Sequence, residues 1–282
     1  MNSKQALDII YKTINNSEIR NDLCLIGAYN LNLYLKEYNV SLDMVQRGTH
    51  DLDFDYSSID AKKYLTEDLI KELRKQGYNV DYKLVDRGNS FTIKYNFEGY
   101  NIQIDANLKK VFTKQATIYY MLANKFSSVS SETIYRRAKD VFDIFIIGKY
   151  LLKDQISLNK VINELEKHDR QLNDFMCFKS SDNIEKLKHA LEKYQPCPIP
   201  DTSIDQVILY VMECSKILQQ EKIIKLRMEK NNDCSRRNEE FKSRWTRNLF
   251  IWKITCNIFE KFWLYHYRII CFKFVWLCTF GL

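Results

Sequence analysis

Glycine and proline are scarce in this chain, seven and three in 282 residues. So few turn formers favour long helices with few tight turns, although heavy use of Asn, Lys, Ile and Tyr is also what AT-rich coding DNA produces. None of the eight cysteines pairs at CxxC spacing and the four histidines are scattered, which argues against structural zinc. MNSKQALDII is followed by polar residues, not by an apolar core and a cleavage site. No secretory signal is read there, and reduced thiols in a cytoplasm are expected. No transmembrane span is expected either: the longest uncharged run of the C-terminal segment is Phe274 to Leu282, far short of roughly 18 apolar residues. Walker A sequences and repeats at solenoid periods are also absent.

What is present describes a globular chain of one or two domains, with ordinary hydrophobic content. Its net charge of +7 fits an anionic partner such as nucleic acid or nucleotide, and equally a solvated surface rich in lysine.

Hydrophobic spacing places a helix over residues 1–20, with Leu7, Ile10, Tyr11 and Ile14 on one stripe. LCLIG (Leu23 to Gly27) reads as a buried strand and AYNLNLYLKEY as an amphipathic helix. After the strand in RGTHDLDFDY (Arg47 to Tyr56) comes a helix from Ile59 to Gln76, stopped by Gly77. YNVDYKLVD, SFTIKYNF and NIQIDANL read as three strands, turned at Arg87-Gly88-Asn89 and Glu98-Gly99. From Thr117 the pattern is helical, broken by PCPIP (Pro196 to Pro200) and resumed from Ser203 to Glu229. The expected class is α+β: a sheet-and-helix core over 1–115, a helical domain over 116–230, and a basic aromatic tail over 231–282.

The chemistry concentrates in RGTHDLDFDY. Asp51, Asp53 and Asp55 alternate with Leu52 and Phe54, so a strand puts all three carboxylates on one face. An EF-hand loop would want glycine and glutamate where Tyr56 and Lys62 stand. Two carboxylates about 7 Å apart along a strand can instead converge on Mg²⁺, which clamps a nucleoside triphosphate in an in-line displacement. Asp105 of NIQIDANL is the candidate third carboxylate. Gly27 could grip phosphate through the helix N-terminus it opens, and Thr49 adds a hydroxyl on the Asp51 face. The bland alternatives are the polar face of an edge strand for the aspartates, an ordinary surface lysine for Lys125, and helix-stabilising pairs for Arg136, Arg137 and Lys139 with Asp140 and Asp143.

LIGAYNLNLYL followed by RGTHDLDFDY resembles the first motif of polymerase-β-like nucleotidyltransferases. MLANKFSSVSSETIYRRAKDVFDIFII resembles the second signature of the abortive-infection AbiEii/AbiGii-type toxins, an alanine-x-lysine helix before an Arg-x-x-Asp-x-x-Asp helix. The resemblance spans about Leu23 to Leu151. It implies a nucleotidyltransferase core with a helical C-terminal region, Asp51 and Asp53 as the metal pair, and Lys125 facing the nucleotide. Asp140 and Asp143 become the acidic residues of the second helix, with Arg137 and Asp140 orienting the lysine or the acceptor. It further implies a cytoplasmic, antitoxin-controlled toxin that transfers a nucleotidyl group from an NTP to a hydroxyl, with a tRNA 3′ end as acceptor. Asp55 falls outside the frame and is expected to be solvated or accessory. The second residue of the turn is Ala28, so no serine hydroxyl is available there.

Two readings from other classes stand beside this one: a catalytically silent nucleotide-binding module, and a membrane-active protein working through its tail. All four tryptophans lie from Trp245 onward, among Phe, Tyr, Cys, Lys and Arg, a composition suited to a membrane interface or a partner. A docked helix or a segment outside the ancestral domain explains it as simply. Because Trp245 to Leu282 lies beyond every motif, a chain ending at Arg244 is expected to keep the full chain's activity. A folded truncation with no activity, measured beside the intact protein, overturns that expectation.

Overall fold

The computed structural model describes residues 1–40, 49–130, 138–194 and 202–225. Residues Met1–Glu221 form one compact unit and Lys222–Leu282 a second; the sheet and the cleft belong to the first. PCPIP and the tail from Trp245 lie outside the described residues.

α1 (Ser3–Asn15) starts in a capping box: Asn2 accepts from the Gln5 backbone N–H, and the Gln5 side chain returns the bond. It buries Leu7, Ile10 and Ile14 of the stripe read from the sequence, with Tyr11 half-buried against the same core. A 3-10 turn (Glu18–Asp22) leads into β1 (Leu23–Ile26), α2 (Gly27–Glu37) and then β2 (Asp51–Tyr56). The next helical stretch is interrupted. α3 (Ile59–Lys63) passes through a π turn (Tyr64–Asp68) into α4 (Leu69–Lys75). Within that turn the Thr66 hydroxyl donates to the Lys62 carbonyl at 2.9 Å, the kind of side-chain competition that loosens a helical ladder.

β3 (Val80–Asp86), β4 (Ser90–Phe97) and β5 (Tyr100–Leu108) form a meander. Phe97 pairs with Tyr100 across a two-residue turn whose Glu98 (φ 50) and Gly99 (φ 85) are both left-handed. That primed turn matches the twist of the strands it joins. The sheet order is β1-β2-β5-β4-β3, with β2 and β5 parallel and the other neighbours antiparallel. β2 is thus an interior strand, and the edge-strand explanation of its aspartates does not apply.

Alternation gives the sheet two chemically distinct faces. Leu25, Leu52, Phe54, Ile93 and Ile104 are buried in one core with residues of α1 and α4. The register puts Asp51, Asp53 and Asp55 on the other face, beside Gln103, Asp105 and Asn107 of β5 and Thr92 of β4.

The second core is helical. α5 (Ile118–Val129), α6 (Ala138–Ile146), α7 (Leu158–Lys167), α8 (Ser181–Tyr194) and a helix over residues 204–225 surround Phe126, Val141, Ile144, Val161 and Val211. α2 joins the two cores, giving Tyr29 to the first and Leu31 and Leu35 to the second. Polar ties reinforce that junction. Arg20, 3% exposed, donates to the carbonyls of Leu23 and Lys114, and the buried Asn30 amide donates to the Ala116 carbonyl at 3.0 Å. The architecture is α+β, a mixed five-stranded sheet with helices followed by a helical region. Among the described residues, no helix is long and apolar enough to cross a membrane.

Candidate active site

β1 ends against β2 with Ile26 opposite Asp53, and the chain must turn at once into α2. Gly27 makes that turn at φ +74, where a side chain would be strained. Space forbids a side chain independently: a Cβ on Gly27 would fall 1.9 Å from Asp53 Oδ2. The glycine therefore brings backbone at the start of α2 directly against a carboxylate of β2. Gly27 and Ala28 line a cleft of about 600 Å³ together with Thr49, Asp51, Asp53, Asn124, Lys125, Lys139, Asp140 and Arg170, a volume suited to a small-molecule site.

Asp53 is the most perturbed acid of this wall. Burial pushes its carboxyl up to about 6; Lys125 and Lys139 pull it down, while Asp105 and Asp51 push it further up. Asp51 sits at the cleft end of β2, with the Thr49 hydroxyl bound to its backbone N–H and C=O at 3.3 and 3.2 Å. Thr49 thus lines the cleft while shaping the entry to β2. Asp105 is the parallel-strand partner of Asp53, but its oxygens are engaged by Thr92 Oγ1 and Gln103 Nε2, each at 2.6 Å. It stands beside Asp53 as charge behind the wall.

The opposite wall is α5 and α6. Lys125 Nζ lies 2.6 Å from Asp140 Oδ1 and 2.8 Å from Asp143 Oδ2, with the lysine 15% exposed and the acids 4% and 0%. Ser128 donates to the other Asp140 oxygen at 2.8 Å. This is a buried ion cluster, so the reading of Lys125 as an ordinary surface lysine fails. The Ala-x-Lys and Asp-x-x-Asp spacings are what bring the three groups together across two helices. Arg137 lies outside the described residues.

Asp55 corrects the sequence expectation. It is 1% exposed, not solvated. Its Oδ2 accepts from the Tyr120 hydroxyl of α5 and lies 4.0 Å from Arg170 Nη2. Along the polar face of β2 burial changes from Asp55, which is buried, to Asp53 and Asp51, which are half-buried and line the cleft. Tyr120 in turn stacks on His168, ring centroids 3.6 Å apart and planes 11° from parallel. Burial, followed by the positive charges of Lys167, Arg170 and Lys109, holds the His168 imidazole down at about 4. Glu164 Oε2 lies 3.2 Å from the His168 Nε2. Asn124, Ser128, Lys139 and Arg170 were not singled out as site residues from the sequence. They are single polar residues in helices or loops, and only the fold brings them to the cleft.

Could this wall hold a cation? Among the described residues, no group of three or more His, Cys, Asp or Glu side chains is arranged around a metal position. Asp51 and Asp53 alone suit Mg²⁺, which is commonly bound by one or two carboxylates and completed by water and substrate phosphate. The raised Asp53 carboxyl comes first from burial, with the Asp105 and Asp51 charges adding to it and Lys125 and Lys139 opposing them.

The geometry defines an α+β scaffold with an acidic strand facing a carboxylate-held lysine across a cleft. No protein-family model matches the sequence, and no curated protein matches it. Among solved structures the chain is similar to the Megavirus polyadenylate synthase, at 12% identity and a TM-score of 0.34 over 75% of this chain and 49% of that one. The chain spans about half the length of that protein, and a likeness so distant assigns no residue a role.

The two walls predict stability changes of opposite sign. Asp53 binds a proton more tightly folded than unfolded, so its charge begins to oppose folding above the ordinary carboxylate range and does so fully above about pH 6. Asp53→Asn therefore raises the melting temperature of the metal-free protein at pH 7.5, by a gain on the order of 2–3 kcal/mol that shrinks as the pH falls through 6. Lys125→Ala removes the ammonium shared by two buried carboxylates and costs about 3 kcal/mol. Melting curves at pH 5 and 7.5 check both; equal destabilisation by the two substitutions would show that the cleft charges are not balanced in this way.

Proposed function

We propose that this chain is a magnesium-dependent nucleotidyltransferase, moving a nucleoside monophosphate from an NTP to a hydroxyl acceptor, in the manner of the AbiEii/AbiGii-type toxins. The observation that carries the reading is the facing of Asp51 and Asp53 on β2 with Lys125 on α5 across one cleft, closed at its side by the N-terminus of α2. Each part answers a need of phosphoryl transfer, in which catalysis is positioning plus charge stabilisation. No covalent role for the protein is required.

Asp51 and Asp53 would hold Mg²⁺, which supplies counter-charge to the triphosphate and the departing pyrophosphate. Lys125 faces the same space, its ammonium fixed by Asp140 and Asp143, so it meets a phosphate without first being ordered. The backbone at Gly27 and Ala28 opens α2 toward the cleft, where unpaired N–H groups and the helix dipole favour an anion. The missing serine hydroxyl at Ala28 is then no obstacle, since backbone donors serve the same phosphate. In the transfer, the acceptor oxygen bonds to the α-phosphorus as the bond to the pyrophosphate oxygen breaks, and the acceptor proton passes to a nearby base or water. Asp105 tunes Asp53 through its charge. A tRNA 3′ end supplies a hydroxyl of the required kind, and an antitoxin would restrain the enzyme in the cell; the net charge of +7 agrees with an RNA acceptor.

The test is incubation with each labelled NTP, Mg²⁺ and total RNA. Label is expected in RNA, lost on chelation, and reduced at least about a hundredfold in Asp51→Asn and Asp53→Asn, because a neutral amide is a poor magnesium ligand. Variants that melt like wild type and still transfer label would reduce the aspartates to an electrostatic oddity of the sheet. NTP-dependent thermal stabilisation with no transfer by wild type would favour the binding module.

A further inference from the structure

Arg170 is a cleft cation that no sequence motif announces. Its position is fixed by the end of α7. Asp169 takes a left-handed φ of 49, and the N–H groups of Asp169 and Arg170 donate to the carbonyls of Glu166 and Leu165 at 3.1 and 2.8 Å. This is the paired hydrogen-bond pattern of a Schellman helix end, which fixes the direction in which the chain leaves. From there the side chain reaches the same cleft as Asp53, Lys125 and Asp140.

A guanidinium carries five N–H donors in a planar fork. Those of Arg170 are poorly used. Asp55 is its ion-pair partner, at a long 4.0 Å; the Tyr120 hydroxyl is a second neighbour; and its buried Nε has no hydrogen-bond partner. Asp55 is committed to holding what lies above it: one oxygen takes the Tyr120 hydroxyl, and the other is buried with no hydrogen-bond partner. A buried carboxylate thus sits beside an arginine that lines a polar cleft and uses few of its donors. Such a fork fits the paired oxygens of a phosphate.

We propose that Arg170 binds a phosphate group of the cleft's ligand and that Asp55, with Tyr120, positions it. The proposal rests on the transfer reading in supposing a phosphate ligand, and it adds the contact and the role of the third aspartate. The phosphate is either that of the bound triphosphate or that of an RNA acceptor, and the same set of variants separates the two.

The experiment is titration calorimetry on the full chain with two probes, magnesium tripolyphosphate and a short single-stranded RNA, supported by melting curves. The proteins are wild type, Arg170→Gln, Arg170→Lys and Asp55→Asn. Arg170→Gln should weaken one probe by about tenfold or more, with Arg170→Lys intermediate because a point charge replaces a fork. Asp55→Asn should weaken the same probe several-fold without a lower melting temperature. Loss confined to tripolyphosphate identifies the nucleotide as the source, and loss confined to RNA identifies the acceptor. Wild-type affinity for both probes in Arg170→Gln overturns the proposal, as does no binding of either probe by wild type; wild-type affinity in Asp55→Asn removes the positioning role. If Arg170→Gln does not fold, the comparison of Arg170→Lys with wild type decides. Tripolyphosphate binding that depends on Arg170, in a protein that transfers no label from any NTP, leaves this proposal standing while the transfer reading falls.

Discussion

Charge balance across a half-buried cleft is the constraint on which the other features depend. Three carboxylates on one strand face repel each other, and the molecule compensates them differently along the strand. Asp55 is covered and hydrogen-bonded by Tyr120, with Arg170 nearby. Asp53 answers to Lys125 across the cleft, and Asp51 lines the same cleft half-buried. Lys125 itself is shared with Asp140 and Asp143, so its ammonium is fixed in place rather than neutralising the strand by contact. A lysine free to swing onto Asp53 would close the pair and remove the reason for a cation or a phosphate to enter.

Backbone geometry serves the same constraint. The close approach of Gly27 to Asp53 sets the start of α2 against a carboxylate that burial has largely desolvated. The Arg20 and Asn30 hydrogen bonds and the two-sided packing of α2 then hold the sheet core against the helical core. Without that rigid junction, the acidic strand and the lysine helix would belong to separately moving bodies, and their charges could not be set against each other.

Much of this was legible in the sequence because the signals were local. The alternation in β2, the Glu98-Gly99 turn and the apolar stripe of α1 each follow from a short-range period. Asp51, Asp53, Lys125 and Asp140 came from motifs whose spacing reflects one strand and two helices. What could not be read was non-local. Asp55 looked like the solvated end of an alternating strand because nothing nearby in the chain shows that Tyr120 packs over it. Arg170 sits in no motif, and its relevance depends on the turn after α7 and on a carboxylate far away in sequence. The π turn at Tyr64–Asp68 was hidden for the opposite reason, since its apolar spacing is that of an uninterrupted helix.

The parallel pairing of β2 with β5 has a consequence for how the molecule is made. Asp53 and Asp105 come together only after the chain has closed a loop of about fifty residues, containing α3, α4 and the β3–β4 hairpin. The β3–β5 meander needs only local contacts and can form early, whereas the acidic strand must insert between β1 and β5 to complete the sheet. Ribosomal synthesis lengthens the wait, because β2 emerges well before β5, the strand it pairs with in parallel. A nascent chain therefore carries its acidic strand without its central partner, and the cleft exists only once the last strand of the sheet has docked.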